Sequence, residues 1–176
     1  MAKHPETNAV RIQTKKTGEK EHSTPLFLTS SFTYDSAEDM AAAFSDDSLD
    51  VNIYSRFSNP SVDEFIEKIA SLEGAEDGIA TATGMAAIYA TFMTFLNQSD
   101  HIISASSVFG STHTILTKYL PKWGIESSYF DMNKPESIEA LIKPNTKMLY
   151  VETPSNPGLD IIDIEFVSAL CKKNNI

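Results

Sequence analysis

Cysteine, arginine and long apolar runs are all scarce in this chain, and each scarcity removes a class of function. One cysteine, Cys171, among 176 residues excludes an internal disulfide. Its place on an apolar helical face reads as a buried, inert thiol rather than a redox centre. No apolar stretch reaches the ~18 residues of a membrane span. The opening segment, Met1 to Lys20, is polar and of mixed charge, unlike a signal peptide, so a cytoplasmic location is expected. Fourteen Lys and Arg against twenty-four Asp and Glu give a formal charge of −10, which disfavours nucleic acid and anionic membrane alike. Basic residues cluster no further than the pairs Lys15, Lys16 and Lys172, Lys173, so small molecules are the expected partners. The four histidines, His4, His22, His101 and His113, are not at metal-ligand spacing, and no metal site is expected. Neither a GxGxxG fingerprint nor a Walker loop is present, which argues against NAD and ATP.

What is there is a globular composition, 41% hydrophobic and 22% charged, with an alternating pattern in its second half. The first ~24 residues have almost no apolar period and read as an extended arm. Pro25 to Tyr34 is an extended stretch, followed by Ser36 as N-cap of an Ala-rich helix, Ala37 to Phe44. Ser61 to Glu64 fits a capping box, and Val62, Phe65, Ile66, Ile69 and Ala70 recur at helical spacing until Gly74 stops the run. Thereafter short apolar strands are expected at Gly78 to Ala82, His101 to Ala105, Ser127 to Phe130 and Met148 to Glu152. Helices are expected between them at about Met85 to Leu96, Thr112 to Leu120 and Pro135 to Ile142, with a last one at Ile164 to Lys173. Strand and helix in alternation imply an α/β fold, a parallel sheet with helices on both faces.

In such a sheet a ligand sits at the C-terminal ends of the strands, so the residues just after each strand carry the information. After the first expected strand, Thr81-Ala82-Thr83-Gly84-Met85-Ala86 runs through a glycine directly into a helix. Such a turn lets backbone N–H groups approach a phosphate at the positive end of the helix; a single glycine there is also ordinary turn chemistry. After the second, Val108-Phe109-Gly110-Ser111-Thr112 presents an aromatic ring, which by itself is more often a core residue than a cofactor-stacking one. After the last, Glu152-Thr153-Pro154-Ser155-Asn156-Pro157 ends a strand in an acid and presents the Asn156 amide between two prolines. Outside the sheet, Tyr54-Ser55-Arg56-Phe57-Ser58-Asn59-Pro60 places one of only two arginines in a loop ahead of a helix.

In this order and spacing the four segments resemble the Cys/Met-metabolism (trans-sulfuration) family of pyridoxal-phosphate enzymes. The resemblance runs from about Glu21 to the end of the chain and departs mildly at Thr83, where the family usually has Ser. It implies the fold of type I PLP-dependent transferases (aspartate aminotransferase-like), here as an incomplete large domain. It also implies pyridoxal 5'-phosphate (PLP) as cofactor and a small-molecule amino-acid substrate. The assembly it implies is a homo-oligomer, a dimer of dimers with the active site shared between subunits. The Tyr-x-Arg-x-x-Asn-Pro segment assigns Tyr54 and Arg56 to the phosphate of the neighbouring subunit. The turn before the helix assigns Gly84 and Met85 to the phosphate of the chain's own site. Phe109 takes the ring-stacking position, and Asn156 the position that hydrogen-bonds the cofactor's phenolic oxygen. Residues 1–60 correspond to the arm and the segment contacting the neighbour, and 61–176 to the first part of the PLP-binding domain.

Most members carry Tyr where this chain has Phe109. Together with Glu21-His22-Ser23 ahead of Leu26-Phe27-Leu28-Thr29-Ser30-Ser31-Phe32, that exchange is similar to the branch that replaces the succinyl group of O-succinylhomoserine with sulfide. A Phe keeps the stacking and removes a phenol that could move protons. The family's acid for the pyridine nitrogen and its Schiff-base lysine, in a Ser-x-Thr-Lys turn, correspond to positions beyond Ile176, and none of the twelve lysines present lies in such a turn. The chain therefore reads as an N-terminal fragment without a catalytic residue of its own and without the C-terminal domain.

Overall fold

In the computed structural model, which describes residues 4–46 and 48–176, the chain forms two compact units, one ending at Ala80 and the other running Thr81–Ile176. The first holds three helices. α1 (Pro5–Arg11) starts with proline in its first turn, where the missing N–H costs nothing. α2 (Ala37–Ser45) is capped by Ser36, whose hydroxyl accepts from the Asp39 N–H, as expected. α3 (Pro60–Glu73) ends on Gly74 in the left-handed region, φ 66°.

Two expectations for this unit need correction. The first residues are not simply an extended arm: α1 packs on α3, and Asn8 donates to the Ser71 hydroxyl at 2.9 Å. The cap of α3 is Asn59, not a Ser61 capping box. The Asn59 side chain accepts from the Ser61 N–H, and Pro60 fills the first helical position. Glu64, which a capping box would turn back on its own helix, instead receives the Thr14 N–H, the Thr24 hydroxyl and Lys68. Its carboxylate is held below the usual range by hydrogen bonds from Lys68 and Thr24, which outweigh the opposing effect of partial burial. Thus Glu64 pins the leading segment to α3.

The second unit opens with α4 (Gly84–Phe95) and builds a sheet from β1 (His101–Ala105), β2 (Glu126–Phe130) and β3 (Thr146–Tyr150), in the order β2-β1-β3 with both pairings parallel. Every residue of β1 is buried. Because successive strand side chains point to opposite faces, complete burial of five in a row means that both faces are covered. The core joins Ile102 and Ile103 of β1 to Phe92 and Leu96 at the end of α4, and to Leu116, Leu120 and Ile138 from the connections. Val167 and Leu170 of the last helix complete it.

The connection after β1 starts as α5 (Gly110–Thr114), widens to a π turn over Ile115–Tyr119 and tightens to 3₁₀ over Leu120–Trp123. The Leu120 N–H reaches back five residues to the Ile115 carbonyl, and Pro121 then offers no N–H to continue an α ladder. The segment Pro135–Leu141 is 3₁₀ rather than α-helical. α6 (Ile164–Asn174) begins at the Asp163 cap and ends on Asn175 in the left-handed region, φ 57°. Cys171 on α6 is half-buried, and desolvation raises its thiol pKa, in keeping with an inert role.

The strand expected at Gly78 to Ala82 does not form. The segment pairs with nothing among the described residues, and Ile79 is 91% exposed. An apolar run becomes a strand only where a neighbour completes its backbone ladder. β3 lies two residues earlier than expected, so Glu152 sits beyond the strand end rather than within it.

Candidate cofactor site

Because β1 and β3 run parallel side by side, the segments carrying Phe109 and Asn156 leave the sheet at the same edge. Past β1, Phe109 stands at the N-terminus of α5 and is 44% exposed. Past β3, Glu152 reaches across. Its Oε2 accepts the Phe109 N–H at 2.7 Å, and its Oε1 accepts the Thr112 hydroxyl at 2.8 Å. The Tyr150 hydroxyl donates to the same Oε1 at 3.1 Å. Burial, followed by the neighbouring carboxylate, raises the Tyr150 pKa, so the phenol keeps the proton it donates. Sequence reasoning noted an acid at this strand end and gave it no role. The signal that would have found it is an acid placed just past a parallel strand, where neighbouring connections converge.

The turn that follows is locked from its far end. Ser155 is buried, its hydroxyl donates to Asp160 Oδ2 at 2.8 Å, and it accepts the Asp160 N–H at 2.9 Å. Inside this closed turn, directly after Ser155, the Asn156 side chain is exposed, and it makes no hydrogen bond among the described residues. Thr153-Pro154 and Asn156-Pro157 are cis peptides.

At the start of α4 the Thr83 hydroxyl accepts the Ala86 N–H at 3.1 Å. The N–H groups of Gly84 and Met85 find no acceptor among the described residues, and a Cβ built on Gly84 would meet nothing within 4 Å. Two free donors at the positive end of a twelve-residue helix, facing open space, suit a phosphate dianion. With an exposed aromatic residue, Phe109, and an unpaired amide, Asn156, in the same unit, the groups present are of the kinds that could hold a phosphorylated aromatic cofactor such as PLP.

Tyr54 and Arg56 belong to the first unit. Their loop is tied to the extended stretch before α2 by an antiparallel bridge, Ser31 to Tyr54. Asn59 is the anchor. It is buried, and its amide donates to the Phe27 carbonyl and the Ser55 hydroxyl, each at 3.0 Å. The Arg56 guanidinium lies over the rings of Tyr54, at 5.5 Å, and Phe57, at 5.1 Å, and is paired with no carboxylate among the described residues. Tyr54, Arg56 and Phe57 line an open apolar groove with Phe32, Met40 and Phe44. A cation braced on aromatic faces, its donors unspent, is ready for an anion from outside this unit.

No group of three or more His, Cys, Asp or Glu side chains among the described residues is arranged to hold a metal ion. No helix of the described residues is long and apolar enough to cross a membrane.

Comparison with known proteins accords with this chemistry. The chain is 45% identical over 159 residues to O-succinylhomoserine sulfhydrylase of Pseudomonas aeruginosa, covering 90% of this chain and 39% of that protein. It is 36% identical over 151 residues to L-methionine gamma-lyase of Porphyromonas gingivalis, covering 86% and 38%. A crystal structure from Campylobacter jejuni, described as an O-acetylhomoserine (thiol)-lyase and carrying N'-pyridoxyl-lysine-5'-monophosphate, superposes with a TM-score of 0.86 at 32% identity, over 98% of this chain and 42% of that one. The chain thus spans about two fifths of the length of the curated relatives it matches, with the fold of type I PLP enzymes. The Cys/Met metabolism PLP-dependent enzyme profile matches residues 6–176, and the chain belongs to that family.

Proposed function

We propose that the full-length protein is an O-succinylhomoserine sulfhydrylase, exchanging the succinyl group of O-succinylhomoserine for sulfide to give homocysteine. The observation that carries the assignment is Phe109: an exposed phenyl ring at the C-terminal edge of the sheet, where a stacking residue without a phenol distinguishes this branch. Similarity to the Pseudomonas sulfhydrylase supports it. Bound here, PLP supplies the electron sink that lets bonds to the substrate's α-carbon and its neighbours break heterolytically.

The residues of this chain have separate tasks. Gly84 and Met85 hold the phosphate through backbone N–H groups, without adding a titrating side chain. Phe109 covers one face of the ring and excludes water from it, and Asn156 donates its amide to the phenolic oxygen. Tyr54 and Arg56 complete the phosphate site of a neighbouring subunit, so the active unit is at least a dimer, and a dimer of dimers in the assembled enzyme. In this scheme residues 1–60 supply the contact to the neighbour and residues 61–176 the first part of the cofactor domain.

The test is to supply purified full-length protein with O-succinyl- or O-acetyl-homoserine, each with sulfide or cysteine, and with methionine alone. Homocysteine formed preferentially from the succinyl ester and sulfide is the expected outcome. Cystathionine from cysteine would make it a cystathionine γ-synthase. Preference for the acetyl ester would make it an O-acetylhomoserine sulfhydrylase, and methanethiol from methionine a methionine γ-lyase.

A further inference from the structure

We propose that Glu152 is the positioning residue that holds the Phe109 ring against the cofactor; this rests on the reading of Phe109 as the residue that stacks on PLP. Phe109 is 44% exposed, so packing within the chain encloses it only in part. What is fixed is its backbone. One carboxylate at the end of β3 takes the Phe109 N–H on Oε2, at 2.7 Å, and the Thr112 hydroxyl on Oε1, at 2.8 Å. It thereby clamps the first turn of α5 at two points 43 and 40 residues away in sequence. Thr112 is completely buried, so the second point is rigid. Tyr150, whose ring packs edge-on against that of buried Phe92 with centroids 4.9 Å apart, also donates its hydroxyl to the carboxylate.

A negative charge at the start of α5 also favours the helix end that carries Phe109. The other acid past a strand end, Asp131, does not compete for this role: it accepts from the N–H and amide of Asn133 in its own turn. A chain whose stacking residue lacks a phenol has no side-chain hydrogen bond with which to orient that ring. The Glu152 clamp supplies the orientation through the backbone instead.

The experiment uses full-length protein carrying Glu152→Ala, Glu152→Gln, Glu152→Asp, Phe109→Ala and the Phe109→Ala/Glu152→Ala pair. Three readouts are taken: PLP dissociation constant, circular dichroism of the bound cofactor's absorption band, and amide exchange of residues 106–112 in the cofactor-free protein. Glu152→Ala should weaken PLP binding about tenfold, reduce the cofactor dichroism and speed exchange in residues 106–112. Glu152→Gln, whose amide can still accept from Phe109 and meet the Thr112 hydroxyl, should stay within about threefold of the parent. The double variant should be no weaker than Phe109→Ala alone, because Glu152 acts through that ring.

If Glu152→Ala does not fold, Glu152→Asp serves in its place. It keeps the charge but is one methylene too short to span both donors, and it should lose dichroism. Parent-like affinity and dichroism in whichever of these two variants is folded, or full additivity in the double variant, overturns the proposal. If Phe109→Ala itself binds PLP normally, the stacking assignment is what has failed, whereas faster exchange in Glu152→Ala would still report the clamp.

Discussion

Loss of the His101 imidazole should loosen the sheet that carries the site, although it lies at the opposite end of the strands. His101 is fully buried as the first residue of β1. Its Nδ1 pairs with the Thr146 hydroxyl at 2.8 Å and its Nε2 with the Ser128 hydroxyl at 2.9 Å, so one ring bridges all three strands. His101→Ala removes both bonds, at about 1 kcal/mol each, and leaves the partly buried Ser128 hydroxyl short of a partner at up to ~1–2 kcal/mol more. Thr146 keeps the Lys143 N–H on its oxygen at 2.8 Å, so its loss is smaller. The sum is about 2–4 kcal/mol, or a roughly 30-fold to several-hundredfold rise in strand opening. Amide exchange followed by mass spectrometry over residues 101–105, 126–130 and 146–150 of the full-length protein measures it.

The same ring gives a pH dependence with a defined sign. Burial, reinforced by the charge on Lys143 and opposed by Glu126, holds the His101 pKa below its ordinary value of 6.5. The native sheet therefore prefers the neutral ring. Stability from this site is intact above pH 6.5 and is lost as pH falls from there toward the lower, folded-state pKa. Exchange corrected for its intrinsic pH rate should accelerate below about pH 6.5 in the parent and not in His101→Gln. Opening that changes less than about fivefold in His101→Ala, with an equal acid response in His101→Gln, would refute the reasoning.

Arg56→Ala should weaken PLP retention by ~1.5–3 kcal/mol, the range of a charge-assisted contact, with the fold unchanged; equilibrium dialysis against PLP measures it. Mixing Arg56→Ala subunits with subunits lacking the cofactor lysine should restore activity if the site is shared. Gly158→Ala should disrupt the lock beneath Asn156, because the new Cβ would lie 2.7 Å from Asp160 Oδ2 and 3.1 Å from the Ser155 hydroxyl. Faster exchange over residues 153–160 and weaker PLP binding are expected. The 176-residue chain expressed alone should not turn over O-succinylhomoserine above the free-PLP rate. After borohydride reduction and digestion, no single lysine should carry a stoichiometric phosphopyridoxyl group.

Most elements around the candidate site were legible in the sequence because their causes are local. Ser36 and Gly74 act on the adjacent helix turn, the largely apolar run at 101–105 suits a buried parallel strand, and the turn through Thr83 and Gly84 needs no distant partner to leave its N–H groups free. Where two segments had to meet, only the tertiary structure decided. Gly78 to Ala82 has the composition of a strand and no neighbour to pair with. Glu64 could have capped its own helix, but Thr14 and Thr24 reached it first. Glu152 looked like the last residue of a strand and proved to be the tie between β3 and Phe109. A hydrogen bond across 43 residues leaves no periodicity and no local propensity behind; it exists only once the parallel sheet has brought two strand ends to one edge.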